Sequence, residues 1–426
     1  MRTENKYGYP ARFRMDFPRT AVAILILFFF RQLNGSSSQN TIPFNRKTVP
    51  LILMDAKSLL EIRDRIRRGD ALIAPAFEKF RKDADAALRE GPFSVMDKPF
   101  LPPSGDKHDF MSVATYHWPN PDTPDGLPFI RRDGFIAPDW DRYDVVPMGK
   151  MTRAVTTSAL AYFFTDSKPY AEHAIRLLRT WFLDPKTRMN PHLNYGQAIR
   201  GVNEGRGAGI IDTRKWVPMV DCMVLLSNSG AWSGEEQKKL QEWFGRYLRW
   251  LLESPLGKSE AAKKNNHGTW YEVQVATYAL FTGEKAIAQH FIGRLHNRIA
   301  FQILRDGKQP PELERTRAFH YSSMNLEALC HAAYMGEQMG YDLWHFRAED
   351  GGSIQTALDF LLPYALREKE WPYQQVTDWQ EDLELFALLL RRASGHYPES
   401  KYERSIERLP LGKKANETGI YDFLFQ

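Results

Sequence analysis

Four stretches of this 426-residue chain gather side chains able to do acid, base or anion chemistry. The first is Lys263-Lys264-Asn265-Asn266-His267-Gly268-Thr269-Trp270-Tyr271, a polar knot just ahead of an apolar helical pattern. Asn, His and Gly are poor helix interior, but they set an amide beside an imidazole. Both groups can hydrogen-bond a carboxylate and lower the cost of building negative charge on it. The competing reading is an N-cap cluster around a structural histidine.

The second stretch is Glu312-Leu-Glu314-Arg315-Thr-Arg317-Ala-Phe-His320-Tyr321, between the breaker Pro310-Pro311 and a helix that Ser322 or Ser323 is expected to cap. On a regular helix Arg315 and Tyr321 would stand about 240° apart in azimuth. For both to face one ligand the segment has to be irregular, and the prolines allow that. Arg315 can then grip a carboxylate in a bidentate fork and hold a nearby phenol toward its ionised form, which makes Tyr321 a proton-transfer group. The alternative is an Arg/Glu surface ladder with Tyr321 in the core.

The third stretch runs from Leu101-Pro-Pro-Ser104-Gly105-Asp106-Lys107-His108 into Tyr116-His117-Trp118-Pro119-Asn120. The fourth holds Asn194-Tyr195-Gly-Gln197, Asn203-Glu204-Gly205-Arg206 and Asp212. Aromatic faces beside hydrogen-bonding groups suit sugar rings, whose apolar faces stack while their hydroxyls seek polar partners. Either stretch is equally readable as a packed loop.

What is missing narrows the chemistry. There is no Ser-His-Asp elbow, Walker loop, HExxH or strand-led GxGxxG. His173, His290, His296 and His345 fall in helical patterns, and the histidines lack metal-ligand spacing, so the sequence asks for no cofactor and no metal. Cys222 and Cys330 are the only cysteines, which reads as two free buried thiols and not as a disulfide scaffold.

These groups need a scaffold, and 43% hydrophobic residues with 26% charged is globular composition. Arg2, Lys6, Arg12, Arg14, Arg19 and Arg31, against Glu4 and Asp16, supply most of the formal net charge of +5. Without that stretch the remainder is near neutral, and nothing argues for nucleic-acid binding. The same basic residues precede the apolar run Ala21–Phe30 and the small polar Gly35-Ser-Ser-Ser. Residues 1–35 therefore read as a secretory signal. Ten apolar residues span about 15 Å of helix, half of a hydrocarbon core, which disfavours a permanent anchor, and no stable membrane insertion is expected once the signal is removed. A periplasmic or secreted location follows, with an uncleaved anchor as the alternative.

From about residue 55 the pattern is helical throughout, with no sustained period-2 alternation, so the fold class is all-α. Met151, Val155, Ala159 and Phe163 recur every four residues, as do Ile287, Phe291, Leu295 and Ile299. Ser233-x-x-Glu236 is a capping box, and Ser254-Pro255 a stop. Further helices are expected near 56–69, 74–90, 168–182, 214–228, 271–281, 323–338, 353–366 and 380–393. Their lengths suit antiparallel hairpins packed side by side in a single domain over 45–426. Two long segments, roughly 92–148 and 185–213, break the rhythm, and loops of that length usually carry function.

The run SVMDKPFLPPSGDKHDFMSVATYHWPNP, the run NPHLNYGQAIRGVNEGRGAGIIDTR and the NNHGTWY knot resemble the alginate-lyase-type polysaccharide lyases, whose fold is an incomplete (α/α) toroid. The resemblance covers roughly residues 90–330 and is nearest the glucuronan and mannuronan lyase branch, in which an Arg precedes the catalytic Tyr by six positions as Arg315 precedes Tyr321. It implies metal-independent β-elimination on a polyuronate. Asn266, His267 and Arg315 would neutralise the uronate carboxylate, and Tyr321 would move the protons. Tyr116, His117, Trp118, Asn194, Gln197, Glu204, Arg206, Arg317 and His320 are expected along the substrate subsites. Arg317 is read either as a second cleft cation or as a support for Glu204 or Glu314.

Stereochemistry limits the roles. In β-D-mannuronate and β-D-glucuronate H5 and the C4 oxygen leave from one side, so Tyr321 can act as base and then as acid. For α-L-guluronate the two lie on opposite faces, and His267 would be the base. Two other readings stand beside the lyase. A toroid-fold glycoside hydrolase would need paired carboxylates, with Glu204 and Glu314 or Asp378 the nominees, and a non-catalytic protein would bind acidic oligosaccharides without shortening them. The expected partner in every case is an anionic polysaccharide, and the oligomeric state is left open.

Overall fold

The computed structural model describes residues 51–397 and 401–411. The expected signal at 1–35 and both ends of the expected domain, 45–50 and 412–426, lie outside the described residues. The described helices are α1 (Ala56–Arg67), α2 (Ala74–Ala87), α3 (Val145–Thr165), α4 (Lys168–Leu178), α5 (Trp216–Leu225), α6 (Gly234–Glu253) and α7 (Pro255–Ala261). They continue with α8 (Asn266–Thr282), α9 (Lys285–Gln302), α10 (Pro310–Leu313), α11 (Ala318–Gln338), α12 (Ile354–Ala365), α13 (Gln380–Ser394) and α14 (Lys401–Arg408).

The helices sort by how far round their apolar residues extend. α3, α5, α8 and α11 are small or apolar on nearly every side and are buried on nearly every side. α4, α6 and α9 carry one apolar stripe and a charged outer face. A helix apolar all round has to be enclosed, and an amphipathic one can enclose it. Accordingly α8 packs against α6, α9 and α11, α3 against α2, α4 and α5, and α11 against α13. The succession makes an incomplete (α/α) toroid around one connected core that reaches from Leu51 to Leu409. Asp221 on α5 fastens the first described residues to it, accepting the backbone N–H groups of Ile52, Leu53 and Met54 at 2.7 Å each.

Helix ends follow local chemistry in some places and tertiary contacts in others. Ser233 and Glu236 form the capping box of α6, and Ser254 ends α6 while capping α7. α8 starts earlier than the apolar pattern suggests, at Asn266, so the polar knot is its first turn. α11 starts at Ala318, and Ser322 and Ser323 are buried interior residues instead of caps. Its first N–H groups find acceptors elsewhere: Ala318 donates to the Gln374 carbonyl and Phe319 to the Gln375 side chain. Both cysteines are free and buried. Among the described residues no helix is long and apolar enough to cross a membrane.

The two long irregular segments are joined. Strands β1 (Met111–Val113) and β4 (Tyr195–Ala198) pair in parallel, while β2 (His117–Trp118) and β3 (Ile130–Arg131) pair antiparallel, with His117 opposite Arg131. Lys98 and Asp144 stake out the first segment from within: both side chains are fully buried, 3.0 Å apart. Asp144 also accepts from the Met111 N–H at 2.8 Å, and Lys98 donates to the Lys107 carbonyl at 2.7 Å. Burial dominates both groups, raising the Asp144 carboxyl to about 7 and lowering the Lys98 ammonium, while their mutual attraction pulls each back.

Removing one member of a buried pair leaves the other uncompensated. Lys98→Met is expected to lower unfolding stability by about 3–5 kcal/mol, measured by urea denaturation. Proteolysis should then cut first within residues 92–148, and an unchanged cleavage pattern would show that the pair does not hold the segment.

Candidate active site

Asn266 and His267 open α8 just after the turn that follows α7. Gly268 is required there because a Cβ would lie 2.1 Å from the Lys263 carbonyl oxygen and 2.4 Å from Arg298 Nη1. Arg298 anchors this corner, donating to the carbonyls of Lys263 and Ala261 and pairing with Glu272 at 2.9 Å. Asn266 is fully buried; its backbone N–H and its Nδ2 both donate to the Glu312 carboxylate at 2.6 Å. An amide nitrogen carries two hydrogens, so one remains beyond Glu312. His267 presents Nδ1 to Glu260 at 2.5 Å, and the side-chain exposures of 21% and 1% show that the imidazole reaches the surface while its carboxylate does not. Nε2 is the nitrogen left for the cleft.

Arg315 lies in the break between α10 and α11, and Tyr321 in the first turns of α11. The fork expected to hold a substrate carboxylate is occupied: Arg315 Nη2 and Nε donate to Asp133 Oδ1 and Oδ2 at 2.8 and 3.1 Å. Burial alone would raise the Asp133 carboxyl, but hydrogen bonds from Arg315 and Arg131 outweigh it and hold the group well below the usual carboxylate range. The Arg315 guanidinium lies 3.7 Å from the centre of the Tyr321 ring. Tyr321, 6% exposed, donates to the Tyr116 hydroxyl at 2.8 Å. Its phenol is pushed up by burial first and then by Tyr116, while Arg315 pulls it down.

These pieces share one region. The buried Glu312 carboxyl, raised by burial, is bonded to Asn266 and also feels the charges of Arg315 and His267. Arg206 closes the far side: its pKa is lowered by burial, with Asp212 and Glu260 as the nearby opposite charges and Arg131 as the like one. The His117 imidazole feels both Arg206 and Arg131, and burial, then these cations, hold it toward the neutral form. The N-termini of the neighbouring helices α8 and α11, each with a partial positive charge, open at this same end.

The remaining candidates divide. Gln197 is buried; its amide is used on Asp212 at 2.7 Å, while its side-chain oxygen and backbone carbonyl accept from Arg206 at 2.9 and 3.0 Å. Trp118 donates its indole N–H to the Phe135 carbonyl, and Arg132 covers its ring at 4.6 Å. Asn194 is exposed and accepts from the indole of Trp250 at 2.9 Å, an aromatic that the linear sequence did not single out. Glu204 is exposed. Arg317 supports neither Glu204 nor Glu314, since it donates to Thr377 at 3.0 Å and faces Asp382 at 3.9 Å. Asp382 also holds His320 Nδ1 at 2.6 Å, beside the Tyr321 ring. Glu260, Asp133 and Asp382 escaped the sequence because each lies in an ordinary-looking context. Glu312 was in view only as part of an Arg/Glu run.

Comparison with known proteins places this geometry. A family model described as alginate lyase matches residues 94–371. No curated protein matches by sequence. A solved alginate lyase from Bacteroides ovatus is 41% identical over 87% of this chain and 97% of its own, with a TM-score of 0.82. Alginate lyase A1-III from Sphingomonas species A1, 16% identical over 83% of this chain and 92% of its own, shares the fold at a TM-score of 0.51. A variant of A1-III complexed with a tetrasaccharide is 14% identical, with a TM-score of 0.51, over 82% of this chain and 90% of its own. The chain belongs to the alginate lyase family and is a polysaccharide lyase.

The Gly268 corner offers a direct test of the packing around Asn266 and His267. Gly268→Ala is expected to destabilise by about 1–3 kcal/mol, the usual range for overpacking, and to lower lyase activity through the displaced first turn of α8. Thermal melting and initial rates check both, and a variant normal in both would place the turn elsewhere.

Proposed function

We propose that this enzyme cleaves a β-linked polyuronate, either the mannuronate of alginate or β-1,4-glucuronan, by β-elimination in which Tyr321 is both base and acid. The observation that carries the reading is the phenol itself, buried under a guanidinium and bonded to Tyr116 beside the Asn266/His267 corner. As phenolate, Tyr321 takes the proton from C5. The C5 electron pair forms the C4–C5 double bond, the bond from C4 to the glycosidic oxygen breaks, and Tyr321 returns the proton to that oxygen. The chain ends as it began, with an unsaturated uronyl residue on one product.

The C5 proton is weakly acidic while the neighbouring carboxylate keeps its full charge, so donors that strengthen as charge moves onto that carboxylate act on the barrier. Asn266 and His267 are the donors for it. With the Nε and Nη2 edge of Arg315 on Asp133, Arg206 is a further cation on the Glu260 and His267 side; its own Nε and Nη2 are bonded to Gln197, so Nη1 is the group that would reach the carboxylate. Tyr116, His117, Trp118 and Asn194 with Trp250 then border the sugar subsites, and His320 and Arg317 support the Tyr321 side through Asp382. The apolar run Ala21–Phe30 favours export to the periplasm or beyond.

Among the described residues the carboxylates nominated for a hydrolase, Glu204, Glu314 and Asp378, are exposed, while the half-buried Asp133 and the buried Glu260 and Glu312 are each bound to a donor of the chain, which favours the lyase reading.

A panel of defined polyuronates, read by the ultraviolet absorbance of the unsaturated end, tests the substrate. Tyr321→Phe is expected to lose at least about 100-fold in kcat, the low end for a general acid–base group, and full activity in it would reject the mechanism. Because the phenol must be ionised to accept H5 and its pKa is raised by burial and Tyr116, the wild-type rate is expected to climb from neutral to alkaline pH. A rate that falls over that range would contradict Tyr321 as the base.

A further inference from the structure

Arg315 lies in the break between α10 and α11 and Tyr321 in the first turns of α11, so no single helix fixes their relative direction. Something outside the segment must do so, and Asp133 is in place. Its two oxygens take both arms of the Arg315 fork, and Oδ2 also accepts from the Thr316 hydroxyl at 2.9 Å and the Thr316 N–H at 3.3 Å. The Asp133 and Arg315 side chains are each only 14% exposed, so water does not compete freely for the fork.

Asp133 is itself pinned from behind. Arg131 holds Oδ1 at 2.8 Å, and the next residue, Gly134, has φ +84°. A Cβ at Gly134 would lie 2.7 Å from the Thr316 hydroxyl and 2.8 Å from Val376 Cγ2, so a glycine is what lets this stretch come so near. With that edge on Asp133, the guanidinium carbon lies over the Tyr321 ring, 3.7 Å from its centre. In that posture the Nε and Nη2 edge cannot also grip a substrate carboxylate.

We propose that Asp133 is a positioning residue for the elimination: it fills the Nε and Nη2 edge of Arg315, so that this cation stays over the Tyr321 ring and does not swing that edge to the uronate carboxylate. The inference rests on the reading of Tyr321 as the proton-transfer group. Groups facing the phenol are Arg315 from the segment before α11, Asp133 from the stretch after β3, Tyr116 from between β1 and β2, and the His320 imidazole, 5.2 Å away on the same helix. Burial raises the phenol most; among its neighbours Tyr116 and Asp133 raise it and Arg315 lowers it. Asp133 thus acts in two opposite senses, raising the phenol through space and lowering it by keeping Arg315 in place. The proposal holds that the second sense is the larger.

The sign of one shift decides the matter. In the full chain carrying 13C-labelled tyrosine, the Tyr321 signal is assigned by its loss in Tyr321→Phe and titrated in wild type and Asp133→Asn. The variant is expected to titrate about one unit or more higher, as befits a cation lost from contact distance. Its kcat at neutral pH should fall about ten- to a hundred-fold, with KM changed by less than about threefold. Arg315→Lys, which keeps the charge but cannot fork, should shift the signal the same way, and the double variant should add little to either. A shift to lower pH, no shift, or simple additivity of the two variants overturns the proposal. The titration needs no turnover, so a wild-type chain that makes no unsaturated product from any polyuronate would defeat the lyase reading separately.

Discussion

An ionised or strongly polar group taken out of water has to find its opposite number inside the protein, because the desolvation cost of leaving it alone is several kcal/mol. That constraint organises the whole cleft. His267 leans on Glu260, Asn266 on Glu312, Arg315 on Asp133, His320 on Asp382, and Gln197 with Ser112 on Asp212. Each anchor is a carboxylate, and each fixes the direction of the donor it holds. The polar groups that line the site are consequently aimed before any sugar arrives, which is the condition for electrostatic stabilisation without reorganisation at the moment of reaction.

Such a network can exist only on a completed fold. Asp133 lies 182 residues from Arg315, Glu312 46 from Asn266, and Asp382 62 from His320. The toroid brings them together by placing the starts of α8 and α11 at one end and by stitching the two long segments to each other through β1 and β4. The inner helices do this because they are enclosed on every side and have little freedom to slide. The long segments then supply the cations and rings that regular helices cannot put at a toroid mouth: Arg131 and Tyr116 from one, Arg206 and Asn194 from the other.

The pattern of legibility follows from the same distances. Helical periodicity and the Ser233/Glu236 capping box are local, and α3, α6 and α9 stand where those signals place them. The polar knot and the Pro310-Pro311 break were visible because they disturb a local pattern, and the four residues nominated from them do lie in one region of the chain. Their partners were not visible. Nothing near Asp133 in the sequence distinguishes it from other loop aspartates, so Arg315 looked like an open fork when it is a filled one. The start of α11 misled for a similar reason: Ser322 and Ser323 have the chemistry of caps, but acceptors from residues 374 and 375 let the helix begin earlier. Gln197 reads in the sequence as a loop residue facing sugar, and its hydrogen bonds to Arg206 and Asp212 appear only in the fold.

The conflict at Tyr321 is where structure and chemistry meet. A phenol in an apolar, buried place resists ionisation, and a general base that never ionises is useless. A phenol beside a freely available cation ionises readily but holds its captured proton loosely and is a poor judge of when to release it. Burial, the Tyr116 hydroxyl and Arg315 push in different directions on one oxygen. On the proposed mechanism their balance has to let a single group take a proton from carbon and give it to oxygen in the same turnover, which is most efficient when its pKa lies near the operating pH. On the same reading two jobs are separated: the Arg315 guanidinium over the ring would steady the phenolate, and other donors would meet the uronate carboxylate. On the proposed reading Arg315 serves the ring and Asn266, His267 and Arg206 serve the carboxylate, because Asp133 occupies the Nε and Nη2 edge by which Arg315 would take a carboxylate in a fork.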